Sequence, residues 1–262
     1  MNSGPIRLPT RPLEKVWGSE DLAPWFPSTG KKIGEVWFEA DLPLLIKFVF
    51  TSGALSVQVH PNDEFAAVHE NSRGKTEMWY ILRADPGAQL AIGFRETITP
   101  ERLRESAVSG EIEKLLNWIP VSAGDAFYIP AGTVHAIGAG LAICEVQEHS
   151  DITYRLYDYG RPRELHLEKA AQVASLKAMQ AKPAILPIDC EFFHTEMARI
   201  TLPLEYKPEA QRFHVLIFVS GLGTIGDQDF QEGQAWLVPP GSQAFTITPR
   251  GDAVKFLRTW AP

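Results

Sequence analysis

The sequence is poor in cysteine, with only Cys144 and Cys190 among its 262 residues. Two cysteines cannot build a disulfide framework, and apolar neighbours favour buried thiols over a redox role. The chain also lacks any uninterrupted apolar run approaching the roughly 18 residues of a membrane-spanning helix. Its first residues contain no apolar stretch typical of a signal peptide. We therefore expect a protein of a reducing cytoplasm that does not enter a membrane.

Basic residues are outnumbered, because Lys and Arg total 25 while Asp and Glu total 32, for a net charge of −7. This balance argues against nucleic acid as a partner, since nucleic-acid binding relies on clustered Lys and Arg. It does not exclude a small anionic substrate, because a pocket can be locally positive in an acidic protein. The apolar share of 45% is ordinary for a globular chain, which has room for one large or two small domains.

Most of the chain consists of short apolar segments separated by Gly and Pro, with 20 residues of each type. Segments of this length are typical of the strands of a sandwich or barrel. We predict strands at KIGEVWFEA, LLIKFVF, ALSVQVH, EMWYIL, DAFYIP and LAICEVQ. The sequence therefore predicts a mainly β protein.

Two segments interrupt the strand pattern. Residues 99–118 open with Thr99 and Pro100, an N-cap followed by proline at the first helical position, which predicts one or two helices. Residues 164–180 are rich in Ala, Leu, Glu, Lys and Gln, which also favours a helix. Residues 181–189 contain two prolines and are interpreted as a linker.

An internal repeat indicates two related β lobes. Residues 124–135 align without a gap to residues 233–244, and both copies contain a Gly turn, a short apolar strand and a turn with Pro and Gly. His135 of the first copy is matched by Ala244 of the second, so chemistry at this position belongs to the first lobe. We predict a metal-bearing lobe over residues 1–163 with a helical insert at 99–118, a connecting helix and linker over 164–186, and a metal-free lobe over 187–262.

Polar side chains recur on single faces of the predicted strands. Ser56, Gln58 and His60 share a face, because successive side chains of a strand alternate between its two sides. Lys75 and Glu77 share a face of a later strand, and His135 enters a strand after a Pro-Ala-Gly turn. A polar face of a barrel strand meets solvent or lines a cavity.

Gln58, His60, Glu77 and His135 offer oxygen and imidazole donors to a divalent metal. With an open coordination position they would form a catalytic zinc site. A single histidine on a strand is more often a structural or surface residue, so the residue types alone leave both interpretations open. Glu64, four residues after His60, is a competing ligand. We prefer Glu77, because Asn62 and the acidic residues after it are typical of an N-cap and first helical turn.

Four runs are specific when they are taken together, namely LSVQVHPND, GKTEMWYIL, IPAGTVHAIGAG and EVQEHSDITYRLYDYGR. In this order they resemble the short bacterial class of type I mannose-6-phosphate isomerases, of the cupin superfamily. The upstream pieces VWG, IGEVWFEA and LPLLIKF resemble that family as well. The resemblance implies a double cupin of jelly-roll β-barrels with a short helical insert and a connecting helix.

The resemblance also implies a role for each site residue and one Zn²⁺ per chain. The implied residues are Gln58, His60, Glu77 and His135 as zinc ligands, Arg155, Glu145 and Lys75 as catalytic groups, and Ser56 and Lys47 as substrate contacts near the phosphate.

The implied reaction interconverts mannose 6-phosphate and fructose 6-phosphate through an enediolate. Arg155 would stabilise negative charge, and Glu145 would be the general base, with Lys75 or a zinc-bound water as alternatives. Two other functions stay open: a metal cupin with different chemistry, such as a dioxygenase or an isomerase of another sugar phosphate, and a non-catalytic sugar-binding cupin. We expect a small-molecule substrate and a monomer or homodimer.

Overall fold

The computed structural model describes residues 4–262, in which antiparallel strands predominate. The elements up to residue 157 are β1 (Ile6–Arg7), β2 (Thr10–Ser19), β3 (Ile33–Phe38), β4 (Leu44–Thr51), β5 (Val57–Val59), α1 (Asp63–Glu70), β6 (Glu77–Ala84), β7 (Gln89–Phe94), α2 (Pro100–Ser109), α3 (Ile112–Leu115), β8 (Leu116–Pro120), β9 (Ala126–Ile129), β10 (His135–Ile137), β11 (Leu141–Glu148) and β12 (Tyr154–Tyr157). The later elements are α4 (Leu167–Val173), β13 (Ile188–Asp189), β14 (His194–Ile200), β15 (Leu204–Tyr206), β16 (His214–Ile225), β17 (Gln228–Gln231), β18 (Ala235–Val238) and β19 (Phe245–Trp260).

The strands form three sheets. A six-stranded sheet has the order β2-β3-β4-β11-β6-β9, and a five-stranded sheet has the order β12-β5-β10-β7-β8. These two sheets enclose the first core, as the halves of a jelly-roll barrel do. The third sheet, of eight strands, is centred on β16 and β19 in the second half of the chain. The predicted mainly β, cupin-type fold class is confirmed.

The central strands β4 and β11 of the six-stranded sheet are buried on both faces, and the sequence of β4 contains the side chains for both. All eight residues of β4 are buried. Phe48 and Phe50 belong to the core shared with the second half of the chain, where they pack with Trp25. Val49 belongs to the core of the barrel, and Lys47 projects from the same face because strand side chains alternate. A lysine within an apolar strand is thereby directed into the barrel.

The helices cover the outer face of the five-stranded sheet. Val57 and Val59 of β5 pack there in one apolar cluster with Leu103 of α2, Ile112 of α3 and Ala170 of α4. The helical insert therefore has no core of its own and shares that of the barrel sheet. Thr99 caps α2 as predicted, because its hydroxyl accepts a hydrogen bond from Arg102 N at 3.2 Å.

Both helical predictions were too long. The insert is helical only to Leu115, and residues 116–118 continue as β8, which pairs with β7. The second helix covers Leu167–Val173 rather than residues 164–180. Ser175 N donates to Gly132 O at 2.7 Å and Met179 N donates to Phe94 O at 2.9 Å, so the barrel takes the backbone donors that a longer helix would use. The segment predicted as a linker contains β13.

The predicted repeat has a structural counterpart. Gly124 and Gly233 both adopt positive φ angles, of 98° and 86°, and each precedes a four-residue strand, β9 or β18. The N-terminal β1 pairs with β18, with Ile6 opposite Leu237, so the start of the chain contacts the second half. The division into residues 1–163, 164–186 and 187–262 stays a prediction, and its first three residues lie outside those described.

Within residues 4–262, none of the helices combines the length and apolar character that crossing a bilayer requires.

Candidate functional site

A cavity of about 250 Å³ lies between the two barrel sheets. The six-stranded sheet contributes mainly charged side chains to it, and the five-stranded sheet contributes Gln58 and Arg155. All nine predicted site residues line this cavity or belong to the cluster of His60, Glu77 and His135. The predicted residues along its wall are Lys47, Ser56, Gln58, Lys75, Glu77, Glu145 and Arg155.

His60, Glu77 and His135 form a cluster whose ligand atoms all lie within 4.8 Å of one another. His135 Nε2 is 3.5 Å from Glu77 Oε1, and His60 Nε2 is 3.8 Å from Glu77 Oε2. His60 directly follows β5 and His135 lies on β10, both in the five-stranded sheet, whereas Glu77 lies on β6 of the six-stranded sheet. The cluster therefore bridges the two sheets. Glu64, the competing candidate, is an exposed residue of α1 and lines a different surface cleft.

Backbone carbonyls orient both histidine rings. His60 Nδ1 lies 2.7 Å from Ile152 O, and His135 Nδ1 lies 2.8 Å from Thr133 O. Each Nδ1 therefore carries the proton and donates, which leaves the Nε2 lone pair directed at Glu77. Burial holds the pKa of His60 well below its ordinary value and lowers the pKa of His135 to about 4, so both rings are neutral. This is the protonation state of a metal-binding histidine.

Gln58 lies beside the cluster. Its Nε2 is 3.3 Å from His135 Nε2, while Ser56 Oγ donates to its Oε1 at 3.2 Å. Rotating the amide by 180° would direct Oε1 at the cluster and let Ser56 accept from the amide nitrogen. Gln58 and Ser56 thus share a face, as the strand alternation predicted. Leu55 does not lie with Val57 on the opposite face, because it precedes β5 and lines the cavity.

The donor set fits a cation. Both carboxylate oxygens of Glu77 are buried and accept no well-aligned hydrogen bond from residues 4–262. The ammonium of Lys75 is drawn to the cluster, at 2.9 Å from Glu77 Oε2 and 3.3 Å from His60 Nε2. A lysine that is 3% exposed thus directs its positive charge at the lone pairs that a divalent metal would use.

Charges of alternating sign extend from this cluster across the six-stranded sheet, in a set of side chains that we call the charged row. Successive ion pairs span 3.5, 3.6, 3.2, 3.2 and 2.9 Å. The ion pairs follow the order of the adjacent strands β2, β3, β4, β11 and β6. Each of these strands contributes one residue, and the sixth, Lys75, lies two residues before β6 begins. The row consists of Lys15, Glu35, Lys47, Glu145, Lys75 and Glu77.

Opposite charges control ionisation in this row. Burial alone would raise the pKa of Glu145, but the ammonium groups of Lys47 and Lys75 outweigh burial and lower that pKa to about 2. Burial alone would likewise lower the pKa of Lys47, but the carboxylates of Glu145 and Glu35 outweigh burial and raise that pKa above its ordinary value. Glu77 behaves in the opposite way, because burial and the charge of Glu145 raise its pKa. A buried carboxylate of this kind gains most from a cation beside it.

Arg155 reaches the cavity from β12, whose backbone pairs with β5 opposite Gln58. Its Nη1 donates to Glu164 O at 2.9 Å, while its buried Nε has no hydrogen-bond partner in residues 4–262. Burial lowers its pKa, and the charges of Arg163 and Arg161 lower it further. Arg155 thus lines the same cavity as Glu77 and keeps one unsatisfied donor.

Several cavity residues escaped prediction. Glu35 is 8% exposed, and its position within the apolar strand IGEVWF is the sequence signal for a buried charge. Trp79 Nε1 donates to Glu145 at 3.2 Å. Lys15 and Arg163 also line the cavity, but nothing in their local sequence distinguishes them from surface residues. The roles of the nine predicted site residues stay predictions.

Comparison with known proteins supports the resemblance seen in the sequence. No protein-family model matches the chain. A mannose-6-phosphate isomerase of Streptococcus mutans is 46% identical over 153 residues, which cover 56% of this chain and 48% of that protein. This match thus spans about half the length of the relative. A mannose-6-phosphate isomerase of Bacillus subtilis is 36% identical over 227 residues, which cover 78% of this chain and 71% of the relative. The chain belongs to the mannose-6-phosphate isomerase family.

The structure places the chain in the same family fold. The crystal structure of the mannose 6-phosphate isomerase from Bacillus subtilis superposes with a TM-score of 0.86 at 25% identity, covering 98% of this chain and 99% of that one. The similarity therefore extends over the second half of the chain, where the sequence resemblance was faint. For a mannose-6-phosphate isomerase family member, the cavity between the barrel sheets is the candidate active site.

Proposed function

We propose that this protein is a zinc-dependent aldose–ketose isomerase that interconverts mannose 6-phosphate and fructose 6-phosphate through an enediolate. The observation that carries the proposal is the convergence of the buried His60, Glu77 and His135 within 4.8 Å of one another, beside a cavity of about 250 Å³ that Gln58 and Glu77 line. Family membership supports the substrate, and the donor set supports zinc.

Gln58, His60, Glu77 and His135 would hold one Zn²⁺ per chain. When bound, zinc would polarise the substrate carbonyl and stabilise negative charge on its oxygen. Two imidazoles, one carboxylate and one amide oxygen would hold the ion, and a substrate oxygen would add to these ligands. The hydrogen bonds to Ile152 O and Thr133 O would keep each Nε2 directed at the ion.

Glu145 and Lys75 supply the groups for proton transfer. Glu145 is ionised and can take a proton from carbon, while the ammonium of Lys75, 3.2 Å from Glu145 Oε1, can give one to the substrate oxygen. The lysines that keep Glu145 ionised also make it a weak base, which favours a transfer in which both residues act together. Arg155 would stabilise the enediolate with its unsatisfied N–H, since a guanidinium cannot act as a base at neutral pH.

Two other functions are less well supported. A metal cupin acting on another sugar phosphate or with oxygen chemistry would use the same cluster, but the family relatives favour the mannose 6-phosphate reaction. A non-catalytic sugar-binding cupin has no need of a proton-transfer pair, whereas Lys75 and Glu145 are 3% exposed and held within 3.2 Å of one another. The cytoplasmic location and the monomeric or dimeric state stay predictions.

The test combines metal analysis with a coupled isomerase assay on the purified chain. We expect one zinc per chain, turnover of mannose 6-phosphate, loss of turnover on chelation and recovery with added zinc. His135→Ala should lose both zinc and activity. The control His149→Ala should keep both, because His149 forms a hydrogen bond with Leu42 O and does not line the cavity. Turnover of a different sugar phosphate would identify the alternative enzyme. Stoichiometric zinc without turnover of any sugar phosphate would favour the binding protein.

A further inference from the structure

The charged row leaves no free positive charge for a substrate phosphate. Its three ammonium groups alternate with three carboxylates at 2.9–3.6 Å. Lys47, the residue that the family resemblance places near the phosphate, is 3% exposed between Glu35 and Glu145. A dianion brought to Lys47 would meet both of these carboxylates, and like charges in a buried site repel strongly.

The segment from β12 to residue 163 has the opposite balance. It carries three guanidinium groups, on Arg155, Arg161 and Arg163, around the single buried carboxylate of Asp158. Burial lowers the pKa of Arg155, and the charges of Arg163 and Arg161 lower it further although Asp158 raises it. Of these groups, Arg155 and Arg163 line the cavity.

Arg163 is held in a fixed position with donors to spare. Its Nη2 donates to Asp158 Oδ1 at 2.6 Å, and its Nε donates to Asp158 Oδ2. Its Nη1 makes no hydrogen bond within residues 4–262, and the side chain is 31% exposed. A guanidinium has five N–H donors in a rigid plane, so the bond to Asp158 orients the remaining donors without using them.

We propose that Arg163, which lines the cavity and is anchored by Asp158, binds the phosphate group of the substrate. The inference rests on the proposed function for the identity of the substrate. Asp158 acts as its positioning residue, and Arg155 adds positive charge between the phosphate and the reacting carbons. Lys47 instead keeps Glu145 ionised.

Arg161 provides a matched control from the same segment. Its Nη2 donates to Ala54 O at 2.8 Å and lies 2.7 Å from Asp158 Oδ1 in an ion pair, and its Nε donates to Asp158 O at 3.1 Å. It shares the carboxylate with Arg163 but does not line the cavity. A variant of Arg161 therefore tests what loosening Asp158 does by itself.

The experiment compares zinc-loaded wild type, Arg163→Met, Arg163→Lys and Arg161→Met. For Arg163→Met we expect KM for mannose 6-phosphate to rise roughly 10- to 100-fold, the range of a charge-assisted hydrogen bond, with a much smaller change in kcat. The Kd of inorganic phosphate, measured by calorimetry, should rise by a similar factor. Arg163→Lys should be intermediate, and Arg161→Met should stay close to wild type in both constants.

Each other result overturns a defined part of the proposal. An unchanged KM and an unchanged Kd of inorganic phosphate in Arg163→Met would exclude Arg163 from the phosphate site. An equal effect in Arg161→Met, or a fall in kcat without a rise in KM, would show that the segment acts structurally. If Arg163→Met unfolds, wild-type constants in Arg163→Lys would contradict the proposal, because a shorter, non-planar cation cannot replace the fork.

The same measurements separate this inference from the proposed function. A wild-type chain that binds inorganic phosphate through Arg163 but does not isomerise mannose 6-phosphate would retain the anion site and reject the isomerase. A wild-type chain that isomerises mannose 6-phosphate with no dependence of KM on Arg163 would do the reverse.

Discussion

The ammonium of Lys75 lies 2.9 Å from Glu77 Oε2 and 3.3 Å from His60 Nε2, two residues of the proposed metal site. Lys75 therefore contacts one oxygen of the carboxylate that a metal would bind. Zinc bound by Glu77 would compete with this ion pair. Glu145, whose Oε1 is 3.2 Å from the Lys75 ammonium, would then be the remaining carboxylate partner of Lys75. Metal binding and the placement of a proton donor are thus coupled through a single side chain.

This coupling predicts that Lys75 opposes metal binding while supporting turnover. In Lys75→Met we expect zinc affinity to be maintained or to rise roughly tenfold, equivalent to about 1.4 kcal/mol, because a competing cation has been removed. The kcat should fall by roughly 100-fold or more, in the range of general acid–base catalysis. Competition against a chelator measures the affinity, and Lys169→Met, which removes a surface partner of Glu70, is the control. A loss of zinc from Lys75→Met would contradict the coupling.

Glu77, rather than Glu64, is predicted to be the acidic metal ligand. Glu77→Gln should reduce zinc content to a small fraction of one ion per chain, because an amide carries no charge to balance the metal. Glu64→Gln should keep wild-type zinc, since Glu64 is exposed on α1. Metal analysis after dialysis decides between them. The ligand assignment is wrong if the two variants exchange these outcomes.

Arg155 is predicted to act on the transition state. Arg155→Ala should keep wild-type zinc content and folding and lose roughly 100-fold or more in kcat, comparable to the removal of one oxyanion donor. Arg155→Lys should recover part of this loss, because an ammonium lacks the planar set of donors. Arg102→Ala, at an exposed ion pair with Glu111, controls for the loss of one positive charge. An effect confined to KM would assign Arg155 to substrate binding instead.

The second half of the chain contains a buried histidine that should make stability depend on pH. Burial lowers the pKa of His214, whose Nδ1 is 2.7 Å from the Tyr206 hydroxyl. Below about pH 6.5 the unfolded chain binds a proton that the folded chain does not, so stability is lost as pH falls from 6.5 towards the folded pKa. The free energy of unfolding measured by denaturant titration should therefore fall more steeply across this window in wild type than in His214→Gln. Parallel pH profiles would show that His214 does not titrate in this way.

Much of the local structure follows from the sequence alone. The caps of Thr99 on α2 and Asn62 on α1 and the shared face of Lys75 and Glu77 depend on residues close together in the chain, and the strands are recognisable from local apolar patterns. The helix boundaries do not, because residues 116–118 and 174–180 pair with distant backbone of the barrel. A local propensity for helix is outweighed there by hydrogen bonds that exist only in the folded chain.

The candidate site also has a part that the sequence predicted and a part that only the tertiary structure decided. Strand alternation placed Gln58 and His60 on one face, and the family resemblance implied Gln58, His60, Glu77 and His135 as a set of ligands, of which the structure brings the two histidines and Glu77 together. Only the tertiary structure shows that Lys47 is neutralised by Glu35 and Glu145, and that Arg163 reaches the cavity. Whether a charged side chain is neutralised depends on its distance to partners on adjacent strands. A sequence pattern gives the residue types and their spacing along the chain, but it does not give these distances in space.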